Sequence, residues 1–124
     1  MEEKWHEVAM QAFAAAKTLT ISQWRAMANR TYYALYAETH ARLIATGLRP
    51  RLRPGTWRHA ELPGLVRSHL KASMGRSEAI KWSRTLRLAR QVRETADYQP
   101  QMTVDSPTLL TAYERVGSLI GTST

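Results

Sequence analysis

The sequence predicts an all-α fold in a single domain spanning residues 1–124, and three observations carry that expectation. Alanine and leucine number 30, against 9 for valine plus isoleucine, a balance that favours helices over pleated sheet. Apolar residues recur at i, i+3, i+4 spacing over several long stretches and nowhere alternate over the length of a strand. The chain has 124 residues, 44% of them apolar, enough for one real core and too few for two conventional domains.

The elements follow in order. Trp5, Val8, Ala9, Ala12, Phe13 and Ala16 lie on one face of a first helix over residues 3–17. Thr18, Leu19 and Thr20 break it. Ser22 is the expected N-cap of a long second helix reaching Ala45, with Gly47 as its stop. This helix is apolar almost all round, through Trp24, Met27, Tyr32, Tyr33, Leu35, Tyr36, Leu43 and Ile44, so it should be central in a bundle. Residues 48–55 hold two prolines and a glycine and read as a loop. Thr56 is the expected cap of a short helix through Trp57 and Leu62, and Pro63 either kinks it or starts a new one to Lys71. Met74, Gly75 and Arg76 form a turn, and Ser77 with Glu78 opens a fourth helix to Ala96. Tyr98, Gln99 and Pro100 end it. A last helix restarts at Ser106 and Pro107, with Leu109, Leu110, Tyr113, Val116 and Ile120 on one face and a frayed tail at residues 121–124. The expectation is a bundle of about five helices.

There are no cysteines, which removes disulfides, thiolate nucleophiles and cysteine metal sites. His6, His40, His59 and His69 show no pairing at i, i+3 or i+4, so neither a metal nor another cofactor is expected. No apolar leader follows the acidic start and no 18-residue apolar run exists, which predicts a soluble cytoplasmic protein without a membrane span.

The formal charge of +8 is unevenly placed. Residues 49–93 carry 12 basic and 2 acidic side chains, whereas residues 1–48 carry 5 and 4 and residues 94–124 carry 1 and 4. Fourteen of the 18 basic residues are arginine, whose planar fork suits phosphate. This stretch reads either as a surface for RNA or nucleotide phosphates, or as a solvated helix face in a chain rich in arginine.

One arginine is out of place. Trp82, Leu86, Ala89 and Ala96 define an apolar stripe on the fourth helix, and at about 100° per residue Arg93 falls near its centre. Arg84, Arg87 and Arg90 wind away from it. A guanidinium facing a core needs a partner, and Asp97 lies at i+4. Arg93 is therefore preorganised in a cleft with Asp97 and Tyr98, locked in a purely structural ion pair, or snorkelling at a helix end. The second helix has similar misfits in Asn29, Arg30, Glu38 and His40. Arg30 shares a side with Ala37 and Ala41, small residues that let another helix or subunit approach, and the aromatic surface of this helix predicts a homodimer.

Asn29-Arg30-Thr31-Tyr32-Tyr33-Ala34-Leu35-Tyr36-Ala37 resembles the S-R-x-Y-Y-A-x-F-x-A signature of small prokaryotic HEPN-domain proteins, and Arg93-Glu94-Thr95-Ala96-Asp97-Tyr98 matches their R-x-x-A-D-Y signature. The resemblance covers residues 5–120. It implies an up-and-down bundle of four long helices plus a short one, usually dimeric, with the motif residues in an interfacial cleft. It also implies an RNA-associated protein of a toxin–antitoxin or defence system, extending to a metal-independent ribonuclease. The alternative is a non-catalytic partner or substrate of a minimal nucleotidyltransferase.

On this reading Arg93, Asp97 and Tyr98 are the candidate catalytic residues. Arg30, Tyr33, His40, His59, Arg84, Arg87 and Arg90 are the candidates for contact with RNA or nucleotide. Ribonuclease members of the family carry an arginine, four to six intervening residues, and then a histidine. That window here holds Tyr98, Gln99 and Pro100. A literal match at Arg53 and His59 lies in the loop before the third helix, a spacing that chance alone supplies about once in such a chain. Cleavage needs one group to take the 2′-hydroxyl proton and another to stabilise the phosphorane. Arg93 suits the second task; Asp97 or a more distant histidine would have to perform the first.

Overall fold

The computed structural model describes residues 2–50 and 55–121, and every regular element among them is helical, as expected. Helix α1 (Glu2–Lys17) has Glu2 and Glu3 in its first turn and Lys17 in its last, each facing the favourable end of the helix dipole. The next start is at Thr20, not Ser22. The Thr20 N–H donates to Gln23 Oε1 (3.1 Å) across a 3₁₀ turn, Ile21–Gln23, while Ser22 Oγ is taken up by Thr20 Oγ1. Helix α2 (Trp24–Ala45) continues directly from that turn. It stops at Gly47, whose φ of +99° suits glycine and whose N–H reaches Ile44 O.

Residues 51–54 of the expected loop lie outside the described residues. Thr56 caps no helix. The chain stays extended through Trp57 because its N–H donates to His40 Nε2 (3.1 Å) and its indole is buried; helical geometry begins only at a 3₁₀ turn, His59–Glu61. Pro63 starts a helix rather than kinking one. It sits in the first turn of α3 (Leu62–His69), where its missing N–H costs nothing. A single turn, α4 (Lys71–Met74), leads to Gly75 at φ +90° and into α5 (Arg76–Tyr98). Asp105 caps the last helix, α6 (Ser106–Gly121), by accepting from Thr108 N–H (2.8 Å). Leu110 is exposed rather than on the buried face, while Tyr113 stacks on Phe13 of α1. Gly121 is helical, and the rest of the expected frayed tail lies outside the described residues.

The core gathers around α2 and α5. Trp82 lies at its centre and donates Nε1–H to Thr39 Oγ1 (2.8 Å), and that hydroxyl donates to Leu35 O. Ala79, Leu86, Ala89 and Ala96 continue the stripe on α5, and a second cluster joins Met27, Ala28, Val92 and Leu109 at the other end. Thr39 near the end of α2 thus meets the start of α5, while Asn29 near the start of α2 meets Asp97 near the end of α5. Buried Glu38 is paired with His6 (2.6 Å) and Arg42.

Much of the apolar surface of α2 is covered within the chain, while Trp24 and Tyr33 stay partly exposed. Tyr32, Leu35, Tyr36, Leu43 and Ile44 are covered by the chain's own elements, and Ala37 and Ala41 are buried where α1 packs on α2. Among the described residues no helix is long and apolar enough to cross a membrane.

Thr39→Val keeps the volume but strands the Trp82 N–H in the core. It should destabilise the fold by about 1–3 kcal/mol. Urea denaturation measures this, and an unchanged midpoint would show that the bond contributes nothing.

Candidate functional site

The site forms where the last turns of α5 cross the start of α2. Arg25 fixes that junction: its guanidinium donates to Ala96 O (2.7 Å), Pro100 O (3.1 Å) and Met102 O (3.0 Å). A cation on the last carbonyls of α5 complements the helix dipole and anchors the following loop. Sequence reasoning missed this residue because its partners are backbone carbonyls some 70 positions away, which carry no side-chain signature.

Arg93 lies inside the junction, its side chain only 12% exposed. Its Nε donates to Asp97 Oδ2 (3.0 Å) and its Nη2 to the Tyr98 hydroxyl (3.3 Å). The guanidinium carbon is 5.4–5.8 Å from the ring centres of Tyr98, Tyr33 and Tyr32, within cation–π range. Asn29 Nδ2 donates to the same Asp97 oxygen (3.1 Å), and Asn29 Oδ1 accepts from Arg30, whose guanidinium covers Tyr33. Arg30, Asn29, Asp97 and Arg93 thus form one chain of hydrogen bonds. Burial pulls the Arg93 pKa down, but Tyr33, Tyr98 and Asp97 more than offset it, so the net shift is upward and the cation is secure. Asp97 Oδ2 takes both donors, which makes this carboxylate an orienting group for Arg93.

His59 arrives from the 3₁₀ turn. Its ring packs on Tyr36 (4.8 Å between centres), and its Nδ1 is 2.6 Å from the Tyr32 hydroxyl. Burial lowers its pKa, and the charges of Arg93 and Arg90 lower it further, against a smaller opposing effect of Glu94. Tyr32 is the shared wall, since Arg93 lies over its face and His59 is bonded to its hydroxyl. Burial also raises the Tyr32 pKa strongly, so that hydroxyl stays protonated.

The tautomer of His59 decides its chemistry. With Nδ1 accepting from Tyr32, Nε2 carries a proton and can donate to a phosphate oxygen. With Nδ1 donating, Nε2 has a free lone pair and can accept a proton.

The remaining candidates separate. Tyr33 and Arg30 flank Arg93, and Tyr98 closes its outer side, two-thirds exposed. His40 is a core residue with no path to a phosphate: it is fully buried, its Nδ1 donates to Tyr36 O (2.9 Å) and its Nε2 accepts from Trp57 N–H. Arg84, Arg87 and Arg90 do not form one stripe. Arg84 shares a groove with Lys81 and Arg115, whereas Arg87 and Arg90 line another with Glu94 and Gln99. Arg90 pairs with Glu94 (2.7 Å), and its charge acts on Tyr32 and His59, so it borders the site instead of winding away from it.

Comparison with family models, with curated proteins and with solved structures finds no match for this chain.

His40 and His59 both have pKa values lowered on folding, first of all by burial. The unfolded chain therefore takes up protons before the folded one. Stability from these residues is present above the ordinary histidine value of about 6.5 and is lost as the pH falls through the lower folded values. The thermal midpoint should fall as the pH is lowered from about 7.5 to about 5; a midpoint that rises or stays level would contradict the assignment.

Proposed function

We propose that this chain is an RNA-associated protein of the HEPN type, an up-and-down bundle of four long helices with a short one inserted, serving a toxin–antitoxin or defence system. Arg93 receives a phosphate of the RNA backbone. The observation that carries this reading is the mounting of its guanidinium. Asp97 and Tyr98 hold one edge, three tyrosine rings frame it, and a half-buried histidine is bonded to the hydroxyl of the shared Tyr32 ring. A merely structural ion pair needs neither the ring cage nor the Asn29 brace. Preorganised donors of this kind favour phosphate because they are already oriented and largely desolvated. Arg30 and Arg90 border the site, with Arg87 in the groove next to Arg90, and supply longer-range attraction. A second copy, as the resemblance implies, would meet the site at its exposed apolar rim, Tyr98 and Met102.

Cleavage of the bound RNA is a second reading, favoured by His59. In the tautomer with a free Nε2, His59 takes the proton of the 2′-hydroxyl. The 2′-oxygen then attacks phosphorus, Arg93 stabilises the phosphorane, and the P–O5′ bond breaks. The leaving oxygen takes a proton from water, and the hydroxide so formed removes the proton that His59 took, which restores the neutral imidazole. The products are a 2′,3′-cyclic phosphate and a 5′-hydroxyl, with no metal in the balance.

Binding of a labelled oligoribonucleotide should weaken by an order of magnitude or more between about 50 and 200 mM salt. Arg93→Lys keeps the charge but loses the fork, and Arg93→Leu loses both. Both should fold, and the leucine variant should bind roughly tenfold more weakly. A leucine variant with undiminished affinity would reduce Arg93 to a structural residue. Incubation in EDTA tests cleavage: the parent should yield cyclic-phosphate ends and His59→Gln should not. RNA left intact by the parent would confine the protein to binding.

A further inference from the structure

A groove of about 620 Å³ lies away from Arg93, between α3, α4 and the start of α5. Its lining includes Arg67 and Ser68 from α3, Lys71 from α4 and Arg76 from α5, with Gly64 at one wall. The three cations are exposed, and among the described residues none has a carboxylate within ion-pair distance. No carboxylate lines the groove, and the nearby Glu78 is turned onto Lys81 (3.1 Å). Like charges gathered without an acid repel one another, and an anion between them relieves that repulsion. The start of α5 strengthens the same field: its cap is Gly75, which has no side chain to satisfy the first-turn N–H groups.

The lining also says what the anion is not attached to. No aromatic side chain faces the groove, so no nucleobase is stacked there. The exposed large apolar side chains, Val8, Met10, Ile21, Tyr98, Met102 and Leu110, all belong to other surfaces, so nothing here inserts into lipid. Three cations exceed the single charge of one backbone phosphodiester and suit the dianion of a phosphomonoester. Beyond Ile80 a second basic groove with Lys81, Arg84 and Arg115 continues along α5, offering a path for a strand that carries such a group at its end. We propose that the α3–α4–α5 groove binds a phosphomonoester, presented by the terminal phosphate of an RNA strand or by a mononucleotide. This site is independent of the Arg93 reading.

Backbone-amide NMR at low ionic strength tests it, with inorganic phosphate as the probe and sodium chloride of matched ionic strength as control. Saturable shifts are expected at Ser68, Arg76, Ser77 and Glu78. Arg67→Gln combined with Arg76→Gln, both at exposed positions, should weaken phosphate roughly tenfold. Gly64→Asp should do the same by placing a carboxylate in the groove, where an added Cβ meets nothing within 4 Å. Arg93→Leu should leave these shifts in place, which separates failure of this site from failure of the other. Tighter binding of a 5′-phosphorylated oligoribonucleotide than of its 5′-hydroxyl twin, lost in the double variant, assigns the strand end. Equal binding of the twins with saturable binding of AMP assigns a nucleotide. Absence of saturable shifts, identical shifts with chloride, or a double variant that titrates like the parent would overturn the proposal.

Discussion

A guanidinium that is nearly out of water must be compensated from every side, and that requirement organises the end of this molecule. Arg93 lies on the stripe of α5 that also carries Trp82, Leu86, Ala89 and Ala96. An uncompensated cation there would be costly. Asp97 one turn later supplies the counter-charge, Asn29 fixes that carboxylate from α2, and the rings of Tyr32, Tyr33 and Tyr98 replace water around the rest. The junction can hold this arrangement because Arg25 ties the end of α5 and the next loop to the start of α2.

A second chain of contacts joins this site to the core. Trp5, Tyr36, His40 and Trp57 pack ring on ring, and His59 continues the series to Tyr32. Each polar atom of His40 has a partner, so that ring works as a neutral spacer. His59 has one nitrogen on Tyr32 and, among the described residues, no hydrogen bond at the other. The two histidines thus have different consequences, one fully buried and the other only half-buried. One locks the extended segment around Trp57 against α2; the other keeps a nitrogen available beside Arg93.

Much of this architecture is legible in the sequence because it depends on local periodicity. The long helices, the stop at Gly47, the restart near Pro63 and the Arg93–Asp97 pair at i, i+4 all follow from spacing within one element. The failures share the opposite character. Thr56 looks like a cap, but the Trp57 N–H is claimed by His40, 17 residues away. Ser22 resembles an N-cap, yet Thr20 and Gln23 satisfy each other first. The aromatic face of α2 suggested a partner subunit, but Trp5 of α1 and His59 of the 3₁₀ turn cover part of it from within the chain. His59 stands near neither motif in sequence, so its place beside Tyr32 could be reached only through the fold.

The central claim is that Arg93 and His59 face the same phosphate, and nitrogen-detected NMR of the His59 imidazole tests it most directly. In the free protein His59 should titrate below the ordinary histidine range. A short oligoribonucleotide should shift its ring nitrogens and raise its pKa, because a phosphate near Arg93 offsets the positive charge that disfavours the imidazolium. The same addition to the Arg93→Leu variant should leave the ring largely unmoved. A His59 titration unchanged by RNA that is demonstrably bound would contradict the account and place the RNA elsewhere on the basic surface.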